Sequence, residues 1–135
     1  MDHPTVHVRI AESPDVIRAR QAGRDLAVSL GFGKVDQIRI ATAISELARN
    51  ILQHSGTTGD VTLRAVTDHH RTGVEILVCD AGVGIADVER ALQDGYSSAG
   101  SLGAGLPGSR RLMDHFDIQT APGKGVRIHM ERWRR

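Results

Sequence analysis

The sequence predicts an α+β fold, a two-layer α/β sandwich whose mixed, mostly antiparallel sheet carries helices on one face. Two patterns along the chain predict this fold. Stretches that alternate between apolar and polar residues indicate half-buried strands, and apolar residues repeated every three or four positions indicate amphipathic helices. The patterns follow one another in the order β-α-α-β-β-loop-α-β-β, which favours helices packed together against an antiparallel sheet.

The first half of the chain begins with one strand and two helices. Residues 5–10 alternate between polar and apolar side chains, which predicts a strand with one buried face. Ser13 followed by Pro14 predicts an N-cap and a first helical position, and this helix is expected to end near residues 31–33. The second helix is predicted over residues 34–54, where apolar side chains form a broad face.

The second half contains four more strands and a long glycine-rich segment. Residues 81–108 are too long for a simple turn, and loops of this length in compact domains are usually functional. A short helix is predicted near residues 87–92, and a further helix from about residue 105 to His115. A turn is expected at residues 69–73. The strands are predicted at residues 61–65, 74–80, 116–120 and 125–132.

Composition limits the classes of function that are open to the chain. Its 135 residues, 40% of them hydrophobic, suit one compact domain over residues 1–135. A net charge of +1 and 3% aromatic residues argue against nucleic acid or an anionic membrane as partner, and the basic residues 132–135 are interpreted as a solvated strand edge. Because Cys79 is the only cysteine and neither a membrane span nor a secretory signal is recognisable, we expect a cytoplasmic protein.

The second predicted helix carries an acid and an amide on one side. Glu46 and Asn50 are four residues apart, so their side chains project one turn apart in the same direction. A carboxylate can accept a proton from an attacking hydroxyl, and an amide oxygen is a hard ligand suited to Mg²⁺. The alternative interpretation is a solvated polar face of a helix.

Two further clusters follow on other elements. Asp80 ends an apolar strand and is followed by Gly82 and Gly84, so that a carboxylate and a bare backbone could receive a flat, amine-bearing ring. The alternative is a glycine turn that Asp80 caps. Residues 100–108 are glycine-rich and precede a helix, where free N–H groups and the helix dipole favour a phosphate, unless this segment is only a linker.

In combination, these three clusters resemble the Bergerat ATP-binding fold of the GHKL superfamily, which includes gyrase, Hsp90, histidine kinases and MutL. They occur in one order between residues 46 and 108, and the resemblance covers nearly the whole chain. Residues 41–50 and 103–114 are most similar to the switch serine/threonine kinases of bacterial stress-signalling complexes, the RsbT-like kinases.

The resemblance implies a role for each matching position. Glu46 would be the general base toward a protein hydroxyl, Asn50 would hold Mg²⁺, and Asp80 would bind the adenine amino group of ATP. Arg49 would contact phosphate or the partner protein. The remaining glycines would line the base or close over the phosphates. The expected nucleotide-binding positions are Arg49, Asn50, Asp80, Gly82, Gly84, Gly103, Ala104, Gly105 and Leu106.

The chain departs from the family pattern at Val126. Many members have a threonine after the glycine that corresponds to Gly125, and its hydroxyl helps to hold adenine. With valine there, we expect thinner contacts to ATP and weaker nucleotide binding.

Three functions follow from the resemblance. The first is an ATP-dependent kinase that phosphorylates a serine or threonine of a STAS-domain protein and, once released, activates a PP2C-type phosphatase. The second is an anti-sigma factor kinase that binds a sigma factor. The third is a nucleotide-gated binding module with little catalysis. A homodimer is compatible with all three.

Overall fold

The computed structural model of the chain describes residues 3–55, 58–80, 82, 108–120, 123 and 125–135. The described elements comprise two α-helices, α1 and α2, a π-helical turn and five β-strands, numbered β1 to β5 in chain order. Their bounds are β1 Val6–Ile10, α1 Ser13–Ser29, α2 Lys34–Asn50, the π-helical turn Ile51–Ser55, β2 Gly59–Asp68, β3 Arg71–Asp80, β4 His115–Thr120 and β5 Val126–Trp133. Residues 108–112 are also helical.

The five strands form one sheet in the order β1-β2-β3-β5-β4, and every described pair is antiparallel. Both helices contact this sheet, and α1 and α2 also pack extensively on each other. The predicted α+β class, with helices on one face of an antiparallel sheet, is therefore confirmed.

Alternation along the strands separates a helix-side face from an outer face of the sheet. On β3, Val74, Ile76 and Val78 are buried, whereas Glu75 and Leu77 between them are only partly buried. The apolar partners of this helix-side face come from the neighbouring strands and from α2. They include Val61, Leu63, Ile128, Met130, Ile40, Ile44 and Leu47. None of the described helices covers the outer face, whose side chains are largely polar.

The start of α1 differs from the prediction by one residue. The N-cap is Glu12 rather than Ser13, and Ser13 is the first helical residue. The Asp15 carboxylate accepts hydrogen bonds from the backbone N–H groups of Ala11 and Glu12, at 2.8 and 2.9 Å. These two bonds, together with the Arg18 guanidinium, hold the pKa of Asp15 below its usual value.

Several predicted boundaries are wrong by a few residues. The predicted turn at residues 69–73 is shorter, because pairing of Asp68 with Arg71 extends both strands of the hairpin and leaves only His69 and His70 in the turn. The helix expected to end at His115 ends instead at residue 112, and His115 begins β4. The short helix predicted near residues 87–92 lies outside the described residues.

The second helix also ends earlier than predicted. The α-helical hydrogen-bond pattern stops at Asn50, and Ile51–Ser55 form a π-helical turn. Such turns are rare and are found often at functional sites. Among the described helices, none is long and apolar enough to cross a membrane.

Candidate functional site

The last turns of α2 bring the predicted acid and a neighbouring arginine into direct contact. Arg49 Nη1 lies 3.2 Å from Glu46 Oε1, which is an i,i+3 ion pair on the helix surface. The Glu46 side chain is 36% exposed, so it is accessible to a second molecule while one of its oxygens is held by the arginine. Arg49 was predicted to contact phosphate or a partner, and in the described residues its contact is this carboxylate.

Asn50 follows on the same side of α2 and is only partly exposed. Its Nδ2 atom is buried and has no hydrogen-bond partner among the described residues. A buried amide without a partner costs free energy, so the group is suited to binding something else. The N–H can donate to a phosphate oxygen, and amide oxygens are ligands that Mg²⁺ accepts in proteins. The donor chemistry of Asn50 therefore fits a magnesium nucleotide.

Asp80 is the last residue of β3 and lies on the helix-side face of the sheet. Its Oδ1 accepts a hydrogen bond of 2.8 Å from the backbone N–H of Gly82. Asp80 therefore caps a turn, as in the alternative interpretation of this cluster from the sequence. The bond leaves the second carboxylate oxygen as a separate acceptor, so capping and ligand recognition are compatible at Asp80.

Gly59 connects the Asp80 end of the sheet with the Asn50 end of α2. A Cβ atom at Gly59 would lie 2.7 Å from Ile51 Cδ1 and 3.2 Å from the Cβ of Asp80. It would also lie 2.4 Å from the carbonyl oxygen of Cys79, so no side chain fits. The residue after Asn50 and the side chain of Asp80 thus meet against the same bare backbone, and the two clusters lie at one end of the molecule.

Gly59 lies outside the strand that was predicted over residues 61–65. In the structure it begins β2, and its register partners are Ile10 and Asp80. A glycine directly before an alternating strand could have suggested a close backbone approach. Nothing in the sequence identifies Ile51 as the side chain that fills the space.

Val126 lies directly beside Asp80. The two residues are register partners across β3 and β5, and Thr120 is the partner of Val126 on the other side. Partners in an antiparallel pair project to the same face, so the Val126 side chain shares the helix-side end of the sheet with Asp80. A threonine at this position would present its hydroxyl next to the carboxylate.

The other predicted site residues have no described geometry. Gly84, Gly103, Ala104, Gly105 and Leu106 lie outside the described residues, and their proposed contacts stay predictions. Gly82 is described and follows Asp80 in the capped turn.

The described part of the site combines three chemical functions. An accessible carboxylate at Glu46 can accept a proton, a buried amide at Asn50 can bind phosphate or a cation, and the carboxylate of Asp80 can accept a hydrogen bond from an amine. Phosphoryl transfer depends mainly on positioning and on neutralising charge, and groups of these kinds can contribute to both.

Known proteins with similar sequences include ATPase domains and a protein kinase. The family model described as a histidine kinase-like ATPase domain matches residues 10–131. The serine/threonine-protein kinase RsbT of Bacillus subtilis (strain 168) is 48% identical over 128 residues, which cover 95% of this chain and 96% of RsbT. The anti-sigma F factor of Caldanaerobacter subterraneus is 30% identical over 70% of this chain and 68% of its own length. That of Pasteuria penetrans is 34% identical over 67% of this chain and 64% of its own length.

Solved structures agree with the fold. The mycobacterial sensor histidine kinase MprB superposes with a TM-score of 0.58 at 19% sequence identity, covering 96% of this chain and 99% of the MprB chain. The histidine kinase domain of the blue-light activated kinase EL346 from Erythrobacter litoralis gives a TM-score of 0.53, also at 19% identity, over 88% of this chain and 59% of that chain. At this level of identity the likeness concerns the fold.

Proposed function

This chain belongs to the family of histidine kinase-like ATPase domains and is a protein serine/threonine kinase that uses ATP, and from that premise we propose that it phosphorylates a STAS-domain protein in a partner-switching module. The observation that carries the proposal is the 48% identity to RsbT over almost the full length of both chains. Once released from the STAS-domain protein, the kinase activates a PP2C-type phosphatase. The proposed reaction takes place in the cytoplasm.

In the proposed reaction, Glu46 is the general base. The serine or threonine oxygen of the partner forms a bond to the γ-phosphorus of ATP while the bond to the β,γ-bridging oxygen breaks and ADP leaves. The hydroxyl proton passes to the carboxylate of Glu46. The ion pair with Arg49 supports this role because it holds one carboxylate oxygen in place on the surface of α2.

Nucleotide binding is assigned to the groups around the end of β3. We assign Asp80 to the adenine amino group and Asn50 to the phosphates and Mg²⁺. The Nδ2 atom of Asn50 supports this assignment, because it is buried and has no hydrogen-bond partner among the described residues. Bound Mg²⁺ neutralises charge on the phosphates during transfer. Gly82, Gly84 and the segment with Gly103, Ala104, Gly105 and Leu106 complete the proposed pocket.

The test is transfer of labelled phosphate from Mg-ATP to a purified STAS-domain partner. Glu46→Gln should slow transfer about 10²–10⁴-fold, as expected when a general base is removed, while nucleotide affinity stays unchanged. The control Glu12→Gln makes the same chemical change at the N-cap of α1 and should transfer at the wild-type rate. Equal transfer by Glu46→Gln and wild type would remove Glu46 from this role.

Similarity to the anti-sigma F factors supports a second candidate, a kinase that also binds a sigma factor. The two candidates differ in a capture experiment with the purified chain and sigma factors in the presence of ATP. The proposed switch kinase retains no sigma factor, whereas an anti-sigma factor does. Formation of ADP only when the STAS-domain protein is present separates either kinase from a nucleotide-gated module without turnover.

A further inference from the structure

A second cluster of functional side chains lies on the outer face of the sheet, opposite to the face that carries the helices. Glu75 on β3 and Glu131 on β5 are register partners, and His129 lies two residues from Glu131 on the same face. One ligand atom from each of these three residues can be chosen so that all lie within 4.8 Å of one another. We call these three residues the outer-face cluster.

The register explains why these side chains meet and also why they meet unfavourably. Partners in an antiparallel pair hold their Cβ atoms about 4.5–5.5 Å apart, and like charges directly opposite each other destabilise a sheet. Glu75 and Glu131 are such a pair. Within the described residues, Glu131 has no ion pair that would offset this repulsion, whereas Glu75 is paired with Arg64. A cation between the two carboxylates would convert the repulsion into attraction.

Glu75 is held in an orientation that suits a ligand. Arg64 Nη2 on β2 lies 2.6 Å from Glu75 Oε1, and His129 Nε2 lies 3.0 Å from Glu75 Oε2. One carboxylate oxygen is therefore fixed by the neighbouring strand while the other points toward the cluster. Partners that orient a ligating carboxylate in this way are typical of metal sites.

The imidazole of His129 has a defined environment as well. The ring of His115 on β4 packs edge-on against it, with ring centroids 5.3 Å apart and planes at 64°. The side chain of His129 is 34% exposed, and its Nε2 atom is positioned by the contact with Glu75 Oε2. Next to it, a groove of about 400 Å³ runs over the outer face between Glu75, Asp117 and Arg127.

We propose that Glu75, His129 and Glu131 bind a divalent transition-metal ion of the Zn²⁺ class on the outer face of the sheet. Two carboxylates and one imidazole are a ligand set that Zn²⁺ uses with bonds of about 2.0–2.2 Å. Such bonds place ligand atoms roughly 3.4 Å apart in a tetrahedron. Small rotations of the glutamate side chains would bring the ligand atoms from the observed spacing to this distance. The fourth position faces solvent and the groove.

The test is a titration of ZnCl₂ into the chelator-treated full-length chain, followed by calorimetry, with Co²⁺ absorption as a second measurement. The wild type should bind one ion at this site, and Co²⁺ should give the visible bands of a tetrahedral or five-coordinate site. His129→Gln and Glu131→Gln should each weaken this binding at least about tenfold. His7→Gln is the matched control. His7 also lies on the outer face, but on the edge strand β1, where it contacts Thr62 of β2.

The variants also distinguish a lost ligand from a lost fold. Circular dichroism and ATP affinity of His129→Gln should equal those of the wild type, because His129 lies outside the nucleotide site. Absence of a one-to-one Zn²⁺ complex in the wild type would overturn the proposal. So would equal Zn²⁺ affinity in His129→Gln and wild type, or an equal loss in His7→Gln.

Discussion

The two faces of the sheet use the same strands for opposite purposes. On the helix-side face, alternate residues of β3 are fully or almost fully buried and aliphatic, and the face becomes polar only where Asp80 ends the strand. On the outer face, Glu75 meets Arg64, His129 and Glu131 of the neighbouring strands, and Leu77 is only partly buried. Stability is therefore concentrated on one face, whereas polar groups available for binding lie at its edge and on the other face.

The largest difference in stability is expected between substitutions at neighbouring residues of β3, which lie on opposite faces of the sheet. Ile76→Ala removes a fully buried side chain of the helix-side face and should lower the free energy of unfolding by about 2–5 kcal/mol. Leu77→Ala, one residue further and on the outer face, should cost less than about 1 kcal/mol, because its side chain remains partly in water. Urea unfolding of both variants measures the difference. Equal losses would contradict the assignment of the two faces.

Arginines of β5 provide the next comparison. Arg132 is only 8% exposed and binds Asp36 of α2 at 2.9 Å, while its Nη1 atom lies 3.6 Å from Asp114. Arg132→Met removes a buried guanidinium from two carboxylates that keep only their more exposed partners, Arg39 and Arg135, and should cost about 1.5–3 kcal/mol. Arg127→Met on the exposed outer face should change stability by no more than about 0.5 kcal/mol. Thermal unfolding at pH 7 compares the variants. If Arg132→Met is as stable as the wild type, the ion pair between Arg132 and Asp36 contributes nothing to stability.

Asp114 makes part of this network dependent on pH. Burial raises the pKa of its carboxyl group, but hydrogen bonds from Arg135 and from the backbone N–H of Trp133 outweigh burial and lower it overall. Because the pKa is lower in the folded than in the unfolded chain, the stabilisation is present near neutrality. It is lost as the pH falls through the folded-state pKa.

Asp114→Asn should therefore destabilise the chain at pH 7 and have progressively less effect below about pH 4. Urea unfolding of wild type and variant across this range measures the difference. Of the two hydrogen bonds to Asp114, the one from Arg135 lowers the pKa more. Arg135→Gln removes this bond and should therefore reproduce part of the loss of stability at pH 7. A difference that is constant with pH would contradict the assignment.

The smallest expected effect concerns the departure at position 126. Val126→Thr places a hydroxyl beside Asp80 and should tighten ATP binding by about 0.5–1.5 kcal/mol, the net value of one hydrogen bond. Val66→Thr makes the same change on the outer face and should leave ATP affinity as it is. Calorimetric titration with ATP compares the two. Equal affinities in all three proteins would mean that residue 126 does not contribute to the nucleotide site.

Sequence patterns predicted the fold because alternation and helical periodicity report directly on burial. The order of elements and the helix-side face of β3 followed from them. The patterns did not predict where pairing ends, since the hairpin turn and the start of β2 at Gly59 depend on contacts with Arg71, Ile51 and Asp80. Nor do they carry a signal for the π-helical turn after Asn50.

The residues of the nucleotide site and those of the outer-face cluster differ in whether the sequence alone identifies them. Glu46, Asn50 and Asp80 were recognisable because their spacing along the chain belongs to a known pattern. The outer-face cluster was not, because Glu75 and Glu131 are far apart in sequence and meet only through the register of β3 with β5. A one-residue change of register would move one of them to the other face of the sheet.

The most direct test of the nucleotide site compares two aspartates at the same end of the sheet. Asp80 lies on the helix-side face, and Asp60 is exposed on β2, one residue from Gly59, the register partner of Asp80. Titration with Mg-ATP should show that Asp80→Asn binds at least about tenfold more weakly than wild type, since a hydrogen bond to a charged group contributes about 1.5–3 kcal/mol. Asp60→Asn should bind as the wild type does. Equal affinity of Asp80→Asn and Asp60→Asn would contradict a nucleotide site at the end of β3.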